Sequence, residues 1–148
     1  MEPAIKIALW AAQDAAFNLD FIPDDKLDWK PSPEAKSAME IANEIARSFQ
    51  GGSSWLETKK WGAEYIPATT RDAVKDAIKK SSEEYAQKLR EFPENQLSEI
   101  HESPMGQMTY QFVVSLALID VTHHHGQIKY IQTLLGDAED HFYAAELP

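Results

Sequence analysis

Apolar residues recur at spacings of three and four in four long segments of the chain, which is the pattern of helices with one buried face. The segments between them lack the alternation of apolar and polar residues that is typical of a half-buried strand. The pattern therefore predicts an all-α fold, a four-helix bundle with long ordered connectors. Because 148 residues is the length of one domain, we expect a single bundle domain over 1–148.

Capping residues, prolines and glycines predict where these helices begin and end. A serine cap followed by proline at the first helical position predicts helix starts at 32–33 and at 103–104. A glycine pair at 51–52 is expected to end the second helix. Together the signals give helices at about 3–19, 33–50, 70–91 and 105–135, the third of them after a cap at Thr69 or Thr70.

Two connectors contain enough apolar residues to pack on the bundle. The first, 21–33, includes three prolines that exclude a helix, and we interpret it as an ordered connector. The second, 52–69, is long for a plain loop and contains Trp55, Trp61 and Tyr65. We expect it to form a helical turn or to lie across the core, with its aromatic residues serving as a lid or a dimer contact.

The charge and composition of the chain exclude several classes of function. With 14 Lys and Arg against 24 Asp and Glu, the formal net charge is −10, so the surface repels phosphate backbones and nucleic acid is not an expected partner. The absence of cysteine excludes disulfides and a thiol nucleophile from the protein itself. There is neither a signal-peptide pattern nor an apolar run long enough to cross a membrane, so we expect a soluble cytoplasmic protein.

The segment with the most chemical information is 118–130, on the last predicted helix. On a helical wheel, the inward arc is defined by Met105, Thr109, Phe112, Leu116, Ile119, Tyr130, Ile131 and Leu134. The polar residues that fall inside this arc are Asp120, His123, His124 and Gln127. His125 falls outside it, so we expect His125 to be solvated or at an interface.

A carboxylate in an apolar stripe costs several kcal/mol unless a cation or hydrogen-bond donors surround it. His123 and His124 lie three and four residues after Asp120, so both project beside it on a helix. Such a pair can share a hydrogen bond or chelate one divalent ion. A third ligand could come from the second helix, where Glu44 lies at the margin of the buried stripe and Asn43 points outward. For Glu44 the alternative is a carboxylate at the edge of a solvated face.

Two blocks of the sequence resemble the DinB-like family, the DinB and YfiT-like metalloenzymes. The segment 21–33 is similar to the family's connector after the first helix, and His-His-His-Gly-Gln-Ile at 123–128 is similar to its His-His-Arg-Gly-Gln block. The similarity extends over essentially the whole chain. The resemblance implies a four-helix bundle, often a homodimer, that holds a metal through one histidine on the second helix and two on the last.

Carried over by position, these family histidines fall on Glu44, Asp120 and His124. Only His124 keeps its identity, although both replacements are carboxylates that can still coordinate. Two carboxylates and one imidazole form a harder site than three imidazoles, which shifts the preference from zinc or nickel toward manganese, iron or magnesium. The expected cofactor is a divalent metal (Mn, Fe, Ni or Zn), with His123 and Gln127 orienting the ligands or replacing one of them.

The resemblance also implies an activity. Family members with an assigned activity resemble thiol S-transferases that use a low-molecular-weight thiol such as bacillithiol, or related thiol-dependent isomerases and hydrolases. We therefore expect a metal-dependent thiol S-transferase or hydrolase that acts on small molecules in stress or detoxification, with no catalytic residue assigned. The alternative is a non-catalytic, stress-associated homodimer in which the three residues form a polar network without metal. A DNA-directed role, suggested by the family name, is disfavoured by the acidic charge.

Overall fold

The computed structural model describes residues 1–62, 64–103 and 106–144. The regular elements of these ranges are α1 (Glu2–Asn18), α2 (Ala38–Thr58), α3 (Arg71–Glu91), β1 (Ile100–Ser103), β2 (Gly106–Thr109) and α4 (Tyr110–Leu134). Short 3₁₀ turns at Leu19–Phe21, Asp24–Lys26 and Glu94–Gln96 give order to the connectors.

The four helices pack as a bundle in which each has two main neighbours. Helix α2 packs on α3 and α4, and α1 packs on the same two helices from the other side. This arrangement confirms the predicted all-α four-helix bundle. None of the helices in the described ranges combines the length and the apolar run that crossing a bilayer requires.

Small side chains bring α1 close to its neighbours. Ala8, Ala11, Ala12 and Ala15 are each at most 3% exposed, and alanine is also the residue with the highest helix propensity. Helix α1 begins and ends within about one residue of its predicted bounds. Helix α3 also begins as predicted, where the Thr70 hydroxyl accepts a hydrogen bond from the N–H of N3.

The second helix begins at a different serine from the one predicted. Ser37 is its N-cap, with Ser37 Oγ accepting from the Glu40 N–H at 3.2 Å and Glu40 Oε2 accepting from the Ser37 N–H at 2.8 Å. These two reciprocal hydrogen bonds form a capping box. Hydrogen bonds from Lys30 and from the Ser37 N–H hold the pKa of Glu40 below its usual range, so the capping box loses its ionised carboxylate only as the pH falls into the acid range. Ser32 is exposed and precedes the helix, so the prediction of a start at 32–33 was wrong.

The second helix also continues through the glycine pair, which contradicts its predicted end at Gln50. Gly51 and Gly52 are buried inside α2. A Cβ on Gly52 would lie 2.7 Å from Tyr85 Cε2, so glycine lets the ring pack directly on the helix backbone. The Tyr85 hydroxyl donates to the backbone oxygen of Val114 on α4 at 2.5 Å, and burial raises its pKa. The glycine serves the packing of three helices and does not end one.

A β-hairpin precedes α4, although no strand was predicted. Strands β1 and β2 pair antiparallel, with Ile100 opposite Thr109 and Ser103 opposite Gly106. Gly106 has φ +109°, a conformation that other residues rarely adopt. Strands of four residues are too short to show a clear alternation of apolar and polar positions.

The hairpin delays the start of the last helix. Helix α4 begins at Tyr110, where the Thr109 hydroxyl accepts a hydrogen bond from the Phe112 N–H at 3.2 Å. The predicted start at 103–104 was therefore wrong. Pro104 and Met105 themselves lie outside the described residues.

Ser37→Ala is expected to lower the free energy of unfolding by about 1 kcal/mol, because it removes the side chain that caps α2. Ser32→Ala, at the exposed serine before the helix, is the matched control and is expected to change it by less than about 0.5 kcal/mol. Urea unfolding followed by circular dichroism measures both. A larger effect at Ser32 than at Ser37 would contradict this start of α2.

Candidate functional site

His124 lies where α2 and α4 face each other, and its ring meets two carboxylates. The side chain is 9% exposed, and Nε2 lies 3.4 Å from Asp120 Oδ1 and 3.5 Å from Glu44 Oε2. Asp120 precedes it by one turn of α4, whereas Glu44 approaches from α2. The structure thus brings together the three side chains predicted as ligands, and their role as ligands stays a prediction.

Gln127 fixes the orientation of the His124 ring. Gln127 Oε1 lies 2.6 Å from His124 Nδ1, and an amide oxygen only accepts, so Nδ1 carries a proton. In a neutral ring, the Nε2 lone pair then faces two carboxylates. A cation between these electron-rich atoms would stabilise that arrangement.

One oxygen of Glu44 is buried without a hydrogen-bond partner. Glu44 Oε1 pairs with Lys36 Nζ and lies 3.7 Å from Arg47 Nη2, whereas Oε2 has no hydrogen-bond partner. Leaving a buried acceptor unpaired costs about 1–3 kcal/mol, and more for a charged group. Because Oε2 faces His124, a cation bound between them would satisfy it.

The three side chains suit a divalent ion chemically, although they are not preassembled as a metal centre. Over the ranges that the structure describes, no group of three or more His, Asp or Glu residues is arranged to hold a metal ion. The contacts form two pairs that share His124 Nε2, at 3.4 and 3.5 Å. Ligand atoms about 2.1 Å from a tetrahedral ion lie about 3.4 Å apart, so each pair has a suitable separation.

Asp120 lies at the rim of a cavity and not inside an apolar stripe, so this part of the sequence interpretation was wrong. Its side chain is 40% exposed. The large apolar members of the predicted inward arc that are exposed instead are Phe112, Ile119, Tyr130 and Leu134. The buried residues of α4 are Val113, Val114, Ala117, Val121, His124, Ile128, Ile131 and Gln132. Because α4 is apolar around most of its circumference, the wheel could not distinguish the packed face from the open one.

Asn43 was predicted to point outward, yet it is 8% exposed and anchors the connector after α2. Its Oδ1 accepts hydrogen bonds from the Tyr65 hydroxyl at 2.6 Å and from the Ala68 N–H at 2.8 Å. Its Nδ2 donates to the backbone oxygens of Met39 and Ala68. The segment predicted to cross the core is therefore fastened to α2 by one amide side chain.

The two histidines beside His124 have different surroundings. His123 is exposed at the edge of the cavity, with its ring centroid 5.2 Å from that of His124. His125 was predicted to be solvated or at an interface, but its side chain is only 15% exposed and its Nε2 lies 2.5 Å from Asp14 Oδ2. His125 therefore belongs to a buried contact between α4 and α1.

The sequence interpretation missed Asp14, which is fully buried on α1. Its Oδ1 accepts a hydrogen bond from the Tyr143 N–H at 2.5 Å, and its Oδ2 accepts one from Asn18 Nδ2 at 3.1 Å. With His125 it joins α1, α4 and the segment after α4. The sequence contained a signal for this residue, because Asp14 lies between two alanine pairs of a predicted helix, and a carboxylate buried among such residues requires a partner.

A cavity of about 940 Å³ opens beside His124. Its polar lining includes both carboxylates, Lys36, Arg47 and His101, and its apolar lining includes Trp55 and Trp61. His101, which the sequence placed in a connector without a role, lies on β1 and its Nε2 accepts from Trp55 Nε1 at 3.4 Å. The volume lies within the range of about 300–1,000 Å³ that is typical of small-molecule sites.

The fold and the site define a four-helix bundle with a carboxylate and histidine cluster at one interhelical cavity. A sequence model of the DinB family matches residues 6–148. The chain belongs to the DinB family.

Two crystal structures of DinB-like proteins share the fold. The one from Bacillus subtilis, YjoA, has a TM-score of 0.73 at 18% identity, over 97% of this chain and 99% of that chain. The one from Bacillus cereus ATCC 10987 has a TM-score of 0.72 at 17% identity, over 97% of each chain. Similarity at this identity shows the fold alone. No curated protein matches the chain.

Asp14→Ala is expected to lower the free energy of unfolding by about 3–5 kcal/mol, because it leaves His125 and the Tyr143 N–H without their buried acceptor. Asp140→Ala, at an exposed acid in the same terminal segment, should change it by less than about 1 kcal/mol. Urea unfolding measures both, and limited proteolysis reports on release of the segment. Equal effects of the two substitutions would contradict the contact described for Asp14.

Proposed function

We propose that Glu44, Asp120 and His124 hold one divalent metal ion in an interhelical cavity that binds a small-molecule substrate. The observation that carries this proposal is the buried, unpaired Glu44 Oε2 facing a His124 nitrogen that also faces Asp120. Gln127 Oε1 contacts Nδ1 of the His124 ring, whereas Nε2 faces the carboxylates; residues that orient metal-ligating histidines commonly bind the ring nitrogen that does not face the metal. The expected metals are Mn, Fe, Ni or Zn, with the two carboxylates favouring the harder ions.

The proposed activity is that of a metal-dependent thiol S-transferase or hydrolase in stress or detoxification. When bound, a divalent ion lowers the pKa of a thiol or a water and so supplies an anionic nucleophile. Any thiol would come from a second small molecule, because the chain contains no cysteine. The protein's own residues would position the ligands, and the apolar wall with Trp55 would restrict access of water.

A second candidate is a non-catalytic bundle in which the same residues form a polar network without metal. The observation that favours it is the ion pair between Lys36 and Glu44, which already neutralises one carboxylate oxygen. A protonated His124 could then bridge Glu44 and Asp120 without metal.

Metal analysis and thermal unfolding of the purified protein separate these two functions. We expect one divalent ion per chain, and for the metal-free protein an increase in Tm of roughly 5–10 °C at a hundredfold excess of metal over its Kd. Glu44→Gln and Asp120→Asn should abolish that increase because each removes a ligand charge. Asp76→Asn, on the exposed face of α3, is the matched control and should retain it.

The metal-free variants give the second half of this test. Without metal, Glu44→Gln should change the stability by less than about 1 kcal/mol, because only a partly exposed ion pair is lost. A wild type that binds no Mn, Fe, Ni or Zn, together with a large loss of stability in metal-free Glu44→Gln, would favour the polar network instead.

We also propose that the protein forms a homodimer through the exposed face of α4. The exposed residues of this fully described helix are Gln111, Phe112, Ile119, Thr122, His123, Gly126, Tyr130, Thr133 and Leu134. None of them is Asp, Glu, Lys or Arg, whereas the exposed face of α3 is largely charged. In a chain with a net charge of −10, an uncharged apolar face is where a second copy meets the least repulsion.

Tyr130→Glu and Phe112→Glu are each expected to weaken the dimer at least roughly tenfold, because they place a charge in an apolar contact. Gln87→Glu, on the exposed face of α3, adds the same charge elsewhere and should leave the mass unchanged. Light scattering coupled to size exclusion over a concentration series measures all four proteins. A monomeric wild type, or a dimer that neither α4 substitution affects, would contradict this interface.

A further inference from the structure

The indole of Trp61 forms a flat apolar surface at the mouth of the cavity. A Cβ on Gly51 would lie 3.0 Å from Trp61 Nε1 and 3.2 Å from Cε2, so the indole rests directly on the backbone of α2. Trp61 is 47% exposed, which leaves part of the ring accessible. Tryptophan presents a large apolar area with few rotatable bonds, which makes it suited to binding another flat group.

The connector that carries Trp61 begins with a turn directly after α2. Helix α2 ends at Thr58, its C-cap residue Lys59 is in the left-handed conformation (φ 59°), and Gly62 has φ +110°. Farther along, Asn43 holds the backbone of Ala68 through both its oxygen and its nitrogen. The connector is therefore tied to α2 at Ala68, and Trp61 contacts α2 directly at Gly51.

A cationic side chain lines the same cavity as this indole. Arg47 is four residues before Gly51 on α2, so the two share one face of the helix. The Arg47 side chain is 64% exposed, and its nearest acidic contact, Glu44 Oε1, is at 3.7 Å, beyond hydrogen-bond distance. The Glu44 oxygen pairs with Lys36 instead, so the Arg47 guanidinium has donors to offer a ligand.

The rest of the lining gives the cavity an apolar wall and balanced charges. Met108, Leu116 and Ile119 line it together with Trp61. The charged lining consists of two acidic and two basic side chains, whose formal charges cancel. A divalent cation at the carboxylates would therefore leave the cavity positive within an otherwise acidic protein.

We propose that the cavity binds an organic anion with a flat apolar body, whose ring packs on Trp61 and whose carboxylate pairs with Arg47. That this anion is the substrate rests on the proposed function, whereas its binding does not require the metal. The indole supplies contact area and Arg47 supplies charge selectivity, so the two contributions can be removed separately.

Calorimetric titration with three probes of the same shape tests the assignment. The probes are 2-naphthoate, neutral 2-naphthylmethanol and cationic 2-naphthylmethylamine. We expect 2-naphthoate to bind at least about tenfold more tightly than the amine. Arg47→Gln should weaken 2-naphthoate about fivefold or more and leave the alcohol unchanged, because only the anion loses a partner. Trp61→Ala should weaken the acid and the alcohol by a similar factor of roughly five to ten.

Matched controls lie outside the cavity. Phe142→Ala removes another exposed aromatic ring, and Lys80→Gln removes another exposed cation; both should bind 2-naphthoate as the wild type does. Equal affinity for the acid and the amine, no binding of 2-naphthoate, or wild-type affinity in both Trp61→Ala and Arg47→Gln would overturn the proposal.

A metal-free series separates this proposal from the proposed function. If Asp120→Asn loses metal binding but still binds 2-naphthoate with dependence on Arg47 and Trp61, the result supports the anion site independently of the metal site. If the wild type binds metal but discriminates neither charge nor ring, the anion site fails and the metal site stands.

Discussion

Two successive histidines on α4 each contact a carboxylate from a different helix, and the positions of the site and of the terminal segment both depend on this pair. His124 faces Glu44 of α2, and His125 contacts Asp14 of α1. Successive residues on a helix are about 100° apart, so one dipeptide reaches both neighbours of α4. A rotation of α4 that improved one contact would therefore break the other.

The sequence was sufficient for the fold class and for the identity of the clustered residues. Helical periodicity predicted four helices, and the threonine cap of α3 fixed its start. The spacing of four between Asp120 and His124 placed them side by side whatever face of α4 was buried. Local rules succeeded for these contacts, which lie within one helix, although they chose Ser32 over Ser37 as the cap of α2.

The other errors arose mainly where contacts between elements decide the structure. Gly51 and Gly52 resemble a helix end in sequence, but packing of Tyr85 and Trp61 on their backbone keeps them inside α2. Helix α4 has two apolar faces, and only the positions of α1 and α2 determine which is buried. For the same reason, periodicity predicted that Asp120 is buried and that His125 is solvated or at an interface, whereas Asp120 is the more exposed of the two.

The distribution of side-chain size explains why a cavity opens at α2 and α4 and not at α1. The alanines of α1 let that helix approach closely, and its buried acid is fully paired. On the other side, the glycines of α2 accept aromatic rings from α3 and the connector, while Glu44 Oε2 remains unpaired beside His124. An unpaired buried oxygen is a cost to stability that a structural role alone does not require, because a glutamine or an apolar side chain would avoid the charge. Since local departures from the rules of stable packing concentrate at functional sites, the unpaired Glu44 oxygen, unlike the fully paired Asp14, supports the binding role proposed for Glu44.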